Sequence, residues 1–119
     1  MEKIKAFEQL IAWQEAQKLA LLVYKATKSF PKEEVFGITS QLRRASSSVS
    51  ANIAEGFGRQ TKKDKIHFLV IAYGSLLETK NFLYLSEKLG YIPKEQLESI
   101  LEQCVSCQKL INAYKRSIN

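Results

Sequence analysis

The sequence predicts an all-α protein, an antiparallel up-down-up-down four-helix bundle forming a single domain over residues 1–119. Three observations predict it. Apolar residues recur at three- and four-residue steps in three of four long segments, the period of an amphipathic helix. Glycine (5) and proline (2) are too scarce to punctuate the many turns that an all-β chain of 119 residues needs. The links between segments are short, and short links make consecutive helices antiparallel neighbours.

The first helix is expected from about Glu8 to Lys28, with Leu10, Trp13, Ala16, Leu19, Val23 and Ala26 along one face. Phe30-Pro31 stops it, because proline cannot continue a helix and restricts the residue before it. The second starts near Glu33 to Val35 and runs to about Gly56, with Gly37 expected to interrupt its first turn. Its stripe is Ile38, Leu42, Ala45, Val49 and Ile53, and Ser46, Ser47, Ser48, Ser50 and Ala51 between them allow close approach of a neighbour. Gly56 and Gly58 are expected to end it through left-handed backbone angles. Thr61 with Asp64 has capping-box spacing and opens the third helix, which continues to about Leu89 and stops at Gly90. Pro93 and Glu95 open the fourth, and Lys115 and Arg116 suit its negative C-terminal end.

Length and composition exclude several classes of protein. One domain of 13.6 kDa leaves no room for a two-domain enzyme. Hydrophobic residues at 45% and charged residues at 25% exclude an intrinsically disordered chain. Residues 1–8 hold no apolar run of signal-peptide length. The longest apolar run, Phe68 to Tyr73, is far below the ~20 residues that span a bilayer. A cytoplasmic protein with no membrane partner is expected, its cysteines Cys104 and Cys107 kept as thiols.

The formal charge of +6 becomes informative once the bundle is drawn. One end gathers Lys3, Lys5, Arg59, Lys62, Lys63, Lys65, Lys115 and Arg116 against Glu2, Glu8 and Asp64, eight bases to three acids. The opposite end balances and the middle carries a single excess charge, so five of the six net charges share one end. Nucleic-acid phosphates are the expected ligand for such an end, recognised by charge and shape rather than base sequence. The plainer reading is a solvated end that keeps the protein soluble.

Arg44, Asn52, Glu55, Ser75 and Glu78 are the sharpest polar candidates within the bundle. Asn52 and Glu55 are three apart, as are Ser75 and Glu78, so each pair shares a helix face. Glu55 and Glu78 could form a carboxylate pair for metal or acid–base chemistry. A di-metal bundle, however, uses Glu-x-x-His motifs, and the chain has one histidine and no such motif. The favoured reading is a structural network in which Arg44 and Asn52 satisfy the carboxylates. No metal, cofactor or catalytic residue is expected. Arg59 and His67 are spaced too widely for the helical Arg–His ribonuclease pattern. Cys104-x-x-Cys107 lies mid-helix, away from the N-terminal dipole that activates thiols, and reads as core for Cys104 and core edge or interface for Cys107.

The third helix is apolar all round over Phe68 to Tyr73, and such a helix is normally buried on more than one side. Self-association is therefore expected, with Trp13, Phe36 and Phe57 as further anchors. Three segments also carry a family resemblance: FEQLIAWQEAQKLALLVYKATKSFP, QLRRASSSVSANIAEGFGR and YGSLLETKNFLYLSEKLGYI. Together they resemble the four-helix-bundle family encoded in intervening sequences of bacterial 23S rRNA genes. The most specific part runs from Arg43-Arg44-Ala45 through Asn52-Ile53-Ala54-Glu55-Gly56 to Arg59, with Gly74 to Glu78 as its companion. The diversity-generating-retroelement accessory protein shares that fold group. The resemblance implies an antiparallel bundle assembled as a barrel-like homopentamer. It also implies a basic surface that, in the retroelement relatives, meets nucleic acid and a reverse transcriptase. The function expected is a non-enzymatic homo-oligomer binding RNA or DNA through its basic end. The alternative is a scaffold or adaptor for a protein partner, such as a reverse transcriptase, without nucleic-acid contact.

Overall fold

Four α-helices form among residues 3–118, which the computed structural model describes: α1 (Ile11–Thr27), α2 (Ile38–Phe57), α3 (Lys62–Lys88) and α4 (Lys94–Ile118). No strand occurs among the described residues. The helices pack as one bundle of 45 × 25 × 18 Å. The long dimension is close to that of α3 alone, whose 27 residues span about 40 Å at 1.5 Å per residue.

The apolar stripes meet in one core. Leu19 and Val23 of α1, Leu42, Val49 and Ile53 of α2, Leu69, Leu76 and Leu83 of α3, and Ile100 and Ile111 of α4 are all buried. Small residues let the helices close. Ala16, Ala45, Ala72 and Ser46 have no exposed surface. The mid-helix serines satisfy themselves locally: Ser46 and Ser47 donate to the Arg43 carbonyl and Ser48 to the Arg44 carbonyl.

Polar contacts record how neighbouring helices align. Gln17 of α1 donates to Ser50 of α2 (2.9 Å), and the Arg43 Nε of α2 donates to Thr27 of α1 (2.8 Å). Gln103 of α4 donates to the Glu15 carbonyl of α1 (2.8 Å). The α1–α2 connection meets the α3–α4 connection through Phe30 and Tyr91, with ring centroids 5.4 Å apart, and through the Tyr91 hydroxyl donating to Glu34 (2.8 Å).

The ends of the helices depart from expectation in three places. Residues Phe7–Gln9 form a 3₁₀ turn rather than the first turn of α1. The Gln9 side-chain oxygen accepts the N–H groups of Lys5 and Ala6, which stabilises this tighter turn. Residues Lys32–Glu34 form a second 3₁₀ turn, and α2 proper begins only after Gly37. Neither Gly56 nor Gly58 adopts a left-handed angle: among the glycines only Gly90, at φ +80°, does. Gly56 lies within α2, where a Cβ would sit 3.0 Å from that of Phe68 and 3.2 Å from the Lys65 carbonyl oxygen. Its missing side chain serves close approach of α2 and α3, not a turn. The Thr61 cap does form, its hydroxyl accepting the Asp64 N–H (3.1 Å).

Candidate functional site

The short α2–α3 connection at residues 58–61 and the first turn of α3 together carry the densest basic group, Arg59, Lys62, Lys63 and Lys65, and its neighbours come from both chain ends. Ile4, Gln9 and Leu10 share one groove with Tyr114 and Ser117, which places Lys3 and Lys5 beside the last turns of α4. Lys115 lines a second groove with Leu69, Val70 and Tyr73 of α3. The segments bearing Lys3, Lys5, Arg59, Lys62, Lys63, Lys65, Lys115 and Arg116 are thus neighbours. Glu2, counted with them by sequence, lies outside the described residues.

The eight bases are not equivalent. Lys3, Lys5, Lys62, Lys63 and Arg116 are exposed. Lys65 is half-buried: its ammonium donates to the Phe57 carbonyl (2.8 Å) and stands 5.4 Å from the centre of the Phe57 ring. That bond satisfies a carbonyl at the end of α2, where no intrahelical donor remains. Arg59 is exposed but engaged. It donates to Glu55 (2.6 Å) and lies 4.5 Å from the Phe68 ring centre. Lys115 is half-buried in its groove. Sequence spacing treats these eight alike; folding assigns Lys65 to the turn and leaves the others to different degrees free.

The five polar candidates separate into local bonds. Arg44 pairs with Glu78 across α2 and α3. Glu55 pairs instead with Arg59, and the Asn52 amide donates to the Ser48 carbonyl (2.8 Å) within α2. The Ser75 carbonyl accepts the Thr79 hydroxyl (2.8 Å) within α3. Glu55 lies eleven residues from Arg44 along α2, about 16 Å at the helical rise. The two carboxylates therefore belong to different places and cannot grip one ion. Among the described residues no group of three or more His, Cys, Asp or Glu side chains could hold a metal.

His67 is exposed, its ring edge-on to Phe68 at 5.7 Å. Cys104 and Cys107 are both buried, Cys107 more deeply than its expected place at the core edge. Loss of hydration pushes the Cys104 thiol up to about 11 and the Cys107 thiol up to about 12. Trp13 packs edge-on against Phe7 at 5.2 Å, and Phe57 is half-buried under Lys65, but Phe36 is 94% exposed. Among the described residues no helix is long and apolar enough to cross a membrane.

Sequence spacing gives little sign of one further cluster, where Thr27 and Thr39 come together with Arg43 beside Phe30-Pro31. Its only linear trace is the pair of bases, Lys28 and Lys32, that bracket the helix break.

These features define a small, basic, all-α bundle protein. The chain belongs to the 23S rRNA-intervening sequence protein family, which it matches over residues 8–113. A crystal structure of a protein of unknown function from the S23 ribosomal protein family of Bacteroides thetaiotaomicron is similar. The two share 28% identity and a TM-score of 0.78, over 88% of this chain and 98% of that one. Among curated proteins none matches.

Proposed function

We propose that the chain is a non-enzymatic homo-oligomer, a pentamer as the family resemblance implies, that binds RNA or DNA electrostatically through its basic end. The observation that carries this reading is the exposure of Lys3, Lys5, Lys62, Lys63 and Arg116 on segments that meet at one end. The order of the helix contacts supports an antiparallel up-down-up-down path. Residue 17 faces 50 and 27 faces 43; residue 44 faces 78 and 57 faces 65. A ring of such protomers repeats the basic end around its axis and multiplies the field. The match to a family named for 23S rRNA intervening sequences is consistent with an RNA-linked role. The free thiols Cys104 and Cys107 suit a cytoplasmic location.

A second reading is an adaptor for a protein partner such as a reverse transcriptase. The fully projecting Phe36 favours it, because exposed aromatics anchor protein interfaces.

Fluorescence anisotropy with labelled RNA and DNA at 50 and 200 mM salt separates the two. Release of counterions makes phosphate binding fall steeply with salt, so affinity should drop at least tenfold over that range. The K62E/K63E variant should abolish binding while Lys65 continues to hold the turn. Absence of binding at low salt would sink the nucleic-acid reading and leave the adaptor.

A further inference from the structure

A groove of about 500 Å³ lies where the end of α1, the α1–α2 connection and the first turns of α2 come together. Its size is that of a small-molecule site, about 300–1,000 Å³. Phe30, Pro31 and Val35 give it an apolar wall, and Lys28, Lys32 and Arg43 give it three positive charges. Among the described residues no Asp or Glu side chain lines it. Among the described residues, none of the three bases forms an ion pair.

Arg43 is held in position without a carboxylate. Its Nε donates to the Thr27 hydroxyl (2.8 Å) and its guanidinium lies 4.8 Å from the Tyr24 ring centre. That pose fixes the guanidinium plane, a geometry suited to paired phosphate or carboxylate oxygens.

Thr39 supplies an independent observation. It lines the groove and is only 6% exposed, and its hydroxyl is the one buried side-chain polar atom among the described residues without a hydrogen-bond partner. Buried hydroxyls are ordinarily paired, and an unpaired one carries a desolvation cost that a partner would remove. Thr39 is the second residue of α2, and the helix N-terminus itself is already served by the Glu34 carboxylate, which accepts the Ile38 N–H (3.4 Å). Three bases without ion pairs and an orphan donor converge beside the apolar wall of Phe30, Pro31 and Val35.

We propose that this groove binds a small aryl or nucleoside phosphate. The phosphate oxygens take Arg43, Lys28, Lys32 and the Thr39 hydroxyl, and the flat apolar portion lies against Phe30 and Pro31. The groove is built from other residues than the basic α2–α3 end, so the proposal stands apart from the nucleic-acid reading.

The test is an amide chemical-shift titration of the isotope-labelled full chain with phenyl phosphate and, separately, with inorganic phosphate. Phenyl phosphate should give saturable shifts confined to residues 27–43, with a Kd at least fivefold tighter than inorganic phosphate. T39V keeps the side-chain shape and removes the hydroxyl; K28Q/K32Q changes exposed side chains only. Each should weaken phenyl phosphate binding at least fivefold. Wild-type affinity in both variants would overturn the assignment. So would shifts confined to Arg59–Lys65, or no saturable shift at all.

Discussion

Arg44 on α2 donates to Glu78 on α3 while the same guanidinium holds Gln41 of its own helix. The pair joins positions 34 residues apart, so it forms only when the two helices have docked. The side chains remain 51% and 38% exposed, which leaves water free to compete. Such a pair contributes under about 1 kcal/mol. E78Q should therefore lower stability by less than about 1 kcal/mol in urea unfolding, and 1 M salt, with a Debye length near 3 Å, should erase most of the difference. A loss above about 2 kcal/mol that salt does not reduce would mean a desolvated network instead.

Two glycines should respond to alanine in opposite ways. At Gly56 the new methyl meets the Phe68 Cβ at 3.0 Å and the Lys65 carbonyl at 3.2 Å, both anchored on α3. G56A must part the helices and should cost about 1–3 kcal/mol. At Gly74 nothing lies within 4 Å of the same methyl, and the position is exposed in mid-helix. In a dilute monomer G74A should stabilise the fold by about 0.5–1 kcal/mol through helix propensity. Thermal unfolding of the two variants side by side checks the pair. Equal shifts would deny the close approach at Gly56.

Cys104 and Cys107 should be inert in the folded protein. With folded values near 11 and 12 against an ordinary value of 9.0, both thiols stay protonated at pH 8. For Cys104 the thiolate fraction there is about one in a thousand, against about one in ten when unfolded. Labelling by a thiol-reactive disulfide should track global unfolding, so urea speeds it and native buffer nearly stops it. The linkage has a definite sign. Folded values lie above unfolded ones, so the stabilisation is fully present below pH 9 and is lost as pH rises through 11 to 12. Rapid labelling in native buffer would contradict the burial.

Three of the helices were legible because a 3.6-residue period survives in the sequence where one face is buried, and α3, apolar on several sides, was legible from its Thr61 start and Gly90 stop. The boundaries were not, because 3₁₀ turns at Phe7–Gln9 and Lys32–Glu34 continue the helical sense with tighter spacing. Gly56 shows a different limit. A glycine near a helix end reads as a terminator, but its reason here is Phe68, twelve residues later. The basic end could be drawn from topology and charge. The division of labour within it could not, since the Lys65 bond to the Phe57 carbonyl depends on how the turn closes. Thr39 gave no sequence signal, because an unpaired hydroxyl is a property of packing.

The outward ridge of α3 offers a direct test of self-association. Val70, Leu77 and Tyr84 follow one another at seven-residue steps, which returns them to nearly the same side of the helix. They are 53%, 48% and 46% exposed, although α3 contributes Leu69, Leu76 and Leu83 to the core on the adjacent side. The seven-residue repeat is the spacing at which a second helix packs along a first. Gly74 lies on this ridge, and its bare backbone would let a neighbouring chain approach closely. L77E changes one exposed side chain and leaves the core intact, so its helical circular dichroism should match the wild type. Its mass by light scattering should fall to that of one 13.6 kDa chain, while the wild type remains a multiple of it. A wild-type protein that is itself monomeric at micromolar concentration, or an L77E variant of unchanged mass, would remove α3 from the assembly.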